Sequence, residues 1–251
     1  MTRVSHFVKG VWILFAKELK ISFTSPLIYI LSAMFSLMMG WLFFNYLILA
    51  KNLTTLTMVN SVLVPIFGNM NFIFLFLAPM ITMGHFAEEK KGKTISLLHL
   101  SMLSDLQIVL AKYMASLVSV MFMLMLTMVF PIILACSGYT DWGTVLASYL
   151  GIILSVMCYL AVGIFASSLT ENQIISAVVT FCILLGLMLL VLSINATSNQ
   201  FLADMVRYLS IPAHYESFVR GEIKSYDLVY FVSFIGFFLF LTRKSLDARN
   251  W

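Results

Sequence analysis

Six long stretches of the chain contain no Asp, Glu, Lys or Arg, and this absence constrains the fold more than any other feature. They cover residues 27–49, 61–84, 113–140, 142–170, 172–203 and 228–242. A helix needs about 20 predominantly apolar residues to cross the hydrocarbon core of a bilayer. The chain is 61% hydrophobic and 10% charged, whereas soluble domains carry about 25% charged residues. We therefore expect an integral membrane protein, and this composition excludes a soluble enzyme, a disordered chain and a nucleic-acid-binding domain.

The apolar runs predict an all-α integral membrane protein with six transmembrane helices. Ser25 precedes Pro26 at the start of the first run, which is a recognised helix start. Ser104 and Thr170 each stand three residues before a glutamine, as in a capping box. Little chain is left between the runs, so we expect residues 1–251 to form a single transmembrane domain. The predicted spans are about 27–49, 61–84, 106–137, 144–168, 173–194 and 227–242.

The basic residues divide unequally between the two sides of the membrane that six spans create. Eleven lie before the first span, between the second and third spans, or after the sixth span, and only four lie on the other side. Because Lys and Arg accumulate in cytoplasmic segments, we expect both termini to be cytoplasmic. The eleven residues are Arg3, Lys9, Lys17, Lys20, Lys90, Lys91, Lys93, Lys112, Arg243, Lys244 and Arg249.

Residues 1–24 sort by face when they are placed on a helix. Large apolar side chains, among them Trp12, share one side, whereas Lys17 and Lys20 belong to the basic side. This pattern predicts an amphipathic helix in the cytoplasmic membrane interface, although a simple orientation signal would also explain the charges. Glu18 interrupts the apolar side, so we expect it to pair with a basic residue elsewhere in the chain.

The absence of acidic and basic residues within the runs also limits the possible functions. Proton relays need ionisable groups in the membrane, which argues strongly against a proton-driven transporter and more weakly against sodium coupling. The chain lacks Gly-x-Ser-x-Gly and His-Glu-x-x-His, and its three cysteines form no metal-binding spacing. Asn45, Asn69 and Asn71 are candidates for lining a substrate path, but hydrogen bonding between helices is the simpler explanation for each.

The segment between the second and third spans contains Gly92-Lys93-Thr94, which looks like the end of a phosphate-binding loop. That loop needs another glycine five positions earlier, where Ala87 stands, so we expect no ATP binding by this chain. Hydrophobic residues at helical spacing between Ile95 and Val109 predict a short amphipathic helix instead. Such a helix is suited to docking a cytosolic protein, and a solvated loop that only supports the topology is an equal alternative.

Several short motifs, in the same order along nearly the whole chain, resemble the ABC type-2 exporter permeases. They are most similar to the gliding-motility-associated and multidrug-type branch of that family. The motifs are Lys17-Glu18-Leu19, Ser25-Pro26-Leu27, Pro79-Met80-Ile81, Phe86-Ala87-Glu88-Glu89-Lys90-Lys91, Leu97-Leu98, Ala111-Lys112-Tyr113, Ser210-Ile211-Pro212 and Arg220-Gly221.

The resemblance implies a permease subunit of an exporter in a bacterial inner membrane. It would form the substrate path with a second permease copy or a paralogue, and accessory proteins are a further option. Two cytosolic ATP-binding subunits would bind ATP and Mg²⁺, so that this chain is not itself an enzyme and holds no cofactor or metal.

The resemblance also implies roles for three segments of the chain. Residues 1–24 would form an elbow helix, residues 85–105 a coupling segment that docks on the ATPase, and residues 195–227 short external helices. The elbow residues would be Trp12, Lys17, Glu18 and Lys20. The docking residues would be Glu88, Glu89, Lys90, Lys91, Lys93, Thr94, Leu97 and Leu98.

Three residues of the docking segment depart from the family pattern. Lys93 stands where a glycine usually precedes the threonine, Ser96 where glutamate is common, and Met102 where proline is common.

Two other interpretations of the function stay open. Glu88-Glu89 followed by Lys93 faintly resembles a motif of prenyl-type intramembrane proteases, which also need histidines within their spans. A passive channel or scaffold without an energy source is the other alternative.

Overall fold

The computed structural model describes residues 2–51, 59–94, 103–136, 141–194 and 200–248, and within these ranges the chain is helical without a strand. A π-helical turn at Val59–Leu63 precedes the third helix. The helices are α1 Thr2–Thr24, α2 Pro26–Lys51, α3 Val64–Thr82, α4 Gly84–Lys91, α5 Asp105–Thr127, α6 Val129–Cys136, α7 Trp142–Leu169, α8 Gln173–Ile194, α9 Gln200–Leu209, α10 Ile211–Val219 and α11 Ser225–Asp247.

Six helical segments are long and apolar enough to cross a membrane, and they coincide with the six predicted spans. The expectation of an all-helical chain with six helices capable of crossing a membrane is therefore confirmed for the described residues. The segments are Pro26–Ala50, Ser61–Lys91, Asp105–Cys136, Trp142–Leu169, Gln173–Leu190 and Ser225–Asp247.

Two of the spans consist of more than one helix. The second span runs through α3 and α4, which are separated by the single turn residue Met83. The third span is interrupted at Met128, between α5 and α6. Pro131 has no N–H to donate to the carbonyl of Thr127, so the regular helical bonding breaks there. The helix predicted between Ile95 and Val109 lies outside the described residues over 95–102, while Leu106 and Val109 belong to α5.

The helices that begin and end the described chain meet at one end of the bundle. The Gln107 amide of α5 donates to the carbonyl of Phe7 in α1 at 2.9 Å. The Ser245 hydroxyl near the end of α11 donates to the carbonyl of Ser168 at the end of α7, at 3.3 Å. The backbone N–H of Phe86 in α4 donates to Ser167 Oγ at 3.0 Å. We refer to this end as the α1 end, and to the opposite end, where α9 and α10 lie, as the α9 end.

The helix α7 occupies the centre of the bundle. In an apolar stretch of 18 residues of this helix 72% of the residues are buried, against 17% in the corresponding stretch of α8 and 28% in that of α11. Two glycines allow its neighbours to approach closely. A Cβ atom on Gly163 would lie 2.1 Å from Thr82 Oγ1 of α3, and one on Gly151 would lie 2.4 Å from Phe218 Cβ of α10. The outer faces of α8, α11 and α2 are left for lipid or for a partner.

Candidate functional site

A buried lysine connects three helices at the α1 end. Lys112 lies on α5 with only 1% of its surface exposed. Its Nζ atom donates to Glu18 Oε1 of α1 at 3.1 Å and to Glu89 Oε1 of α4 at 2.8 Å. The same atom lies 5.3 Å from the centroid of the Phe86 ring, within range of a cation–π contact. Because a buried ammonium is stable only when it is paired, this contact set ties α1, α4 and α5 together.

A histidine and a serine complete this group. His85 Nε2 lies 2.8 Å from Ser116 Oγ, and Ser116 Oγ donates to the carbonyl of Lys112 at 2.9 Å. The serine proton is thus used, so the histidine donates from Nε2 and its Nδ1 is left as the acceptor. That Nδ1 lies 4.0 Å from Glu18 Oε2, beyond hydrogen-bond distance. We call Glu18, His85, Glu89, Lys112 and Ser116 the Lys112 cluster.

The helix α4 is held by further contacts along its length. The ammonium of Lys90 donates to the carbonyl of Ser168 in α7. The Glu88 carboxylate is exposed and accepts from the side-chain amide of Gln173 in α8. Lys91 is exposed. The end of the second span is therefore anchored to α1, α5, α7 and α8, while one face of α4 stays accessible.

The helix α4 ends in a Schellman motif with an unusual residue at its left-handed position. The backbone N–H of Lys93 donates to the carbonyl of Lys90 at 3.1 Å, and that of Thr94 donates to the carbonyl of Glu89 at 2.9 Å. Lys93 has φ of 55°, the conformation that glycine normally supplies at this position. The preceding Gly92 has φ of −79° and needs no such freedom. The departure from the family pattern at Lys93 thus falls on the residue whose backbone favours glycine.

A pocket of about 640 Å³ opens beside the Lys112 cluster, between α1, the start of α2, the end of the second span and the start of α5. Its lining combines apolar side chains, most of them from α2 and α3, with charged side chains from α1, α4 and α5. Glu89 Oε2 is shielded from solvent and has no hydrogen-bond partner among the described residues. The lining includes Lys17, Glu18, Ile21, Leu27, Ile28, Leu31, Ile81, His85, Glu88, Glu89 and Lys112.

The structure brings the predicted elbow and docking residues together at this end. The helix expected over residues 1–24 is present as Thr2–Thr24, and Glu18 has the basic partner expected for it, which is Lys112. Lys17 lines the pocket, Lys20 is exposed, and Trp12 is 67% exposed. Leu97 and Leu98 lie outside the described residues. Whether these residues act as an elbow and a docking segment stays a prediction.

Sequence reasoning missed the central role of Lys112 and the contribution of His85. From the sequence, Lys112 counts only as one of the eleven basic residues and as part of the motif Ala111-Lys112-Tyr113. A usable signal was present, since Glu18 is the one acid on the apolar face of α1 and Lys112 is a lone cation in the first turns of α5. Two isolated opposite charges on apolar helix faces are expected to find each other. The second acid, Glu89, could not be assigned without knowing where α4 lies.

The three asparagines proposed for a substrate path have different surroundings. Asn45 is exposed and donates to the carbonyl of Trp41 within its own helix, at 2.8 Å. Asn69 donates to the Tyr46 hydroxyl at 2.7 Å, which is a bond between α3 and α2. Asn71 is buried and lines a second pocket of about 260 Å³ near α10, where its Oδ1 has no hydrogen-bond partner. Of the three, Asn71 has the surroundings that a path-lining residue would need.

The α9 end contains a second buried contact between polar side chains, formed by His214 and Asp227. His214 Nδ1 lies 2.6 Å from Asp227 Oδ1, and His214 Nε2 lies 3.0 Å from the carbonyl of Tyr208. Both ring nitrogens therefore lie within hydrogen-bond distance of an oxygen, one on Asp227 and one on the backbone of α9. The ring stacks on Tyr230, with centroids 4.0 Å apart and an interplanar angle of 18°. Ser217 Oγ donates to the other oxygen of Asp227 at 2.9 Å. These contacts bind α9 and α10 to the start of α11.

Two further groups at the α9 end, Glu222 and Tyr215, have shifted pKa values. The Lys224 ammonium donates a hydrogen bond to the exposed Glu222 carboxylate and holds the pKa of that carboxyl below its usual range. Burial raises the pKa of the Tyr215 hydroxyl well above its usual range, so this group remains a donor. It donates to the carbonyl of Phe67 in α3 at 2.9 Å. That bond fastens α10 to the second span.

The histidines of the chain are not gathered into one site within the described residues. His85 belongs to the Lys112 cluster at the α1 end, whereas His214 belongs to the pair at the α9 end. His99 lies outside the described ranges. Among the residues that the structure describes, no group of three or more His, Cys, Asp or Glu could hold a metal ion.

Comparison with protein-family models and with curated protein sequences finds no match for this chain. The functional interpretation therefore rests on its residues and their geometry.

Proposed function

We propose that the chain is the transmembrane permease subunit of a type-2 ATP-binding-cassette exporter, working with separate cytosolic ATPase subunits. The observation that carries this proposal is the attachment of α4 by the Lys112 cluster. The segment after the second span begins at Gly92, directly beyond a helix that is tied to α1 and α5 by one buried cation. A force applied to that segment would move three helices together.

Coupling to an external ATPase explains why the spans need no charges of their own. Hydrolysis in the partner displaces the segment 85–105, and the rigid connection through Lys112 transmits the displacement to the second and third spans. The bilayer core then needs only a path that opens to alternate sides, formed together with a second permease copy or a paralogue. ATP and Mg²⁺ bind in the ATPase, and this chain supplies the docking surface and the path.

The exposed face of α4 is the part of the docking surface that the described residues supply. Glu88 and Lys91 are exposed, and Lys93 and Thr94 follow at the turn. Glu89 is engaged with Lys112, so we assign it to holding the segment in position rather than to meeting a partner. A charged docking rim of this kind mainly determines the specificity and the rate of association.

The orientation follows from the same proposal. The segments before the first span, between the second and third spans and after the sixth contain eleven of the fifteen Lys and Arg residues of the chain, the excess that is typical of the cytoplasmic side. We therefore place both termini in the cytoplasm, the protein in a bacterial inner membrane, α1 as the elbow helix at the inner face, and α9 and α10 on the outside.

The test is purification of the tagged chain from its native membrane, followed by mass spectrometry of the proteins that accompany it. The proposal predicts a stoichiometric cytosolic ATPase with a phosphate-binding loop. Charge reversals at the exposed positions, Glu88→Lys and Lys91→Glu, should reduce its recovery. The matched control is Glu216→Lys, an exposed charge reversal at the α9 end, which should not. Recovery of the chain without any ATPase, or equal recovery for all variants, would refute the proposal.

A further inference from the structure

The middle of the apolar side of α1 is covered by the bundle. Leu14 is buried, and Val11 and Phe15 pack against the hydrophobic core. Most of this cover comes from α5. The surface that α1 offers to its surroundings is therefore the opposite side of the helix, which consists of other residues.

This outward side of α1 combines large apolar side chains with ammonium groups. Trp12 is 67% exposed and Ile13 is 71% exposed. Three exposed lysines share this side, namely Lys9, Lys17 and Lys20. Water is a poor environment for the two apolar side chains, and acyl chains are a poor environment for the ammonium groups. The boundary between acyl chains and head groups suits both kinds of side chain, because a lysine reaches the head groups along its flexible stem and an indole ring is stable at that level.

The position of α1 along α5 places the outward side at this boundary. Beyond Lys112, α5 contains no charged residue, so the hydrocarbon layer begins after this position. Glu18 bonds to Lys112 at 3.1 Å and marks the same level on α1. Lys17 and Lys20 lie within one helical turn of Glu18. The carbonyl of Phe7 is bonded to the first turn of α5, so the earlier residues of α1 lie toward the water.

The charge of the outward side is positive and is not neutralised within the described part of the chain. Glu18 is the only acidic residue among residues 1–24, and it is buried and bonded to Lys112. Glu89 attracts Lys17, but it is bonded to Lys112 as well. Among the described residues, two lysines of this side form no ion pair, namely Lys9 and Lys20. Head groups with a net negative charge are the complement of such a surface.

From these features we infer that the outward side of α1 binds anionic phospholipids of the surrounding leaflet. The ammonium groups of the three lysines contact phosphate oxygens of the head groups. Trp12 and Ile13 lie against the upper part of the acyl chains. The selection is for the net charge of the lipid. This binding requires no ATPase and does not depend on the proposed transport function.

Quenching of Trp12 fluorescence by brominated lipids tests this inference. The full chain, with its other three tryptophans replaced by phenylalanine, emits tryptophan fluorescence from Trp12 alone. It is reconstituted into phosphatidylcholine vesicles that contain the same mole fraction of either brominated phosphatidylglycerol or brominated phosphatidylcholine, with the bromines near the carboxyl end of the acyl chains. One lysine at an anionic surface contributes about fivefold in binding, so we expect at least about a tenfold preference for phosphatidylglycerol at Trp12. High salt should reduce this preference, because it screens exposed charges.

A lysine variant and a matched control assign the preference to this side of α1. Neutralising the three lysines should make both brominated lipids quench Trp12 equally, in the variant Lys9→Gln, Lys17→Gln, Lys20→Gln. Since the three side chains are exposed, the variant should fold normally. The same change of charge at the α9 end should keep the full preference, in the control Arg207→Gln, Arg220→Gln, Lys224→Gln.

Three results would overturn the inference. The first is equal quenching by the two lipids when all three lysines are present. The second is a preference for phosphatidylglycerol that persists in the lysine variant. The third is a Trp12 that neither brominated lipid quenches, which would assign this side of α1 to a protein partner with an acidic surface.

Discussion

The substitution Lys112→Met tests the physical reasoning about the Lys112 cluster most sharply. Methionine has nearly the length of the lysine side chain and keeps its apolar contacts, but it removes the cation. Glu18 and Glu89 would then face each other without a counter-charge, in a site where their side chains are 7% and 17% exposed. Loss of one partner from a buried ion pair costs about 3–5 kcal/mol.

The partial exposure of Glu89 places the expected loss at the lower end of that range, at about 3 kcal/mol. For a chain of this size a loss of 1 kcal/mol lowers the melting temperature by about 2–4 °C, so we expect a decrease of about 6–12 °C. The assay is thermal unfolding of the detergent-purified protein, followed by intrinsic fluorescence. Lys91→Met on the exposed face of α4 is the matched control and should stay within about 0.5 kcal/mol of the natural protein.

Neutralising the whole cluster provides the decisive comparison. The triple variant Lys112→Met, Glu18→Gln, Glu89→Gln leaves no Lys, Asp or Glu charge within the cluster, and replacement of a complete ion-pair network by neutral groups is often close to neutral in stability. It should therefore recover most of the loss caused by Lys112→Met alone. If Lys112→Met melts like Lys91→Met, or if the triple variant is less stable than the single one, the cluster does not hold these helices together.

Three further predictions use the same thermal assay. Lys93→Gly should raise stability by about 0.5–1 kcal/mol, because it relieves the cost of a left-handed residue at the end of α4; no change or a decrease would contradict the assignment of strain. Gly151→Ala should cost more than about 1 kcal/mol because its Cβ would overlap Phe218 Cβ. The control is Gly186→Ala, which should be neutral or stabilising because no atom lies within 4 Å of its Cβ position. Equal effects of the two glycine variants would refute the close packing of α7 on α10. His214→Ala should cost about 3 kcal/mol and Ser217→Ala about 1 kcal/mol, because the first removes a partner of buried Asp227 and also the ring that stacks on Tyr230, whereas the second removes one hydrogen bond. The reverse order would contradict the central place of His214 in these contacts.

The six spans could be predicted because their signal is local. An uncharged run of sufficient length can only be stable across a bilayer, and the structure places helices where those runs lie. The amphipathic pattern of α1 likewise predicted a helix. It did not distinguish which apolar residues pack on protein and which face lipid, since both surroundings favour the same side chains. Val8 and Trp12 are exposed, whereas Leu14 on the same side is buried against the bundle.

The candidate site could be predicted only in part because its contacts join distant positions. The need of Glu18 for a basic partner followed from its place on an apolar face, but the choice of Lys112, which is 94 residues away, depends on how α1 lies on α5. The engagement of Glu89 depends on the continuation of the second span as α4. Lys93 is a further example. Of the two neighbours Gly92 and Lys93, glycine is the residue better suited to the left-handed position that ends α4. The helix extends one residue further, so that Lys93 takes the left-handed conformation instead.

ATP hydrolysis by the complex purified through this chain tests the central proposal most directly. Phosphate release is measured on the tagged protein from its native membrane, in gentle detergent, with and without Mg²⁺. The account predicts Mg²⁺-dependent hydrolysis that co-elutes with the chain, decreases in Glu88→Lys and Lys91→Glu, and persists in Glu216→Lys. A preparation without hydrolysis, under conditions that preserve the activity of a known transporter complex, would contradict the assignment of this chain as an ATP-driven permease.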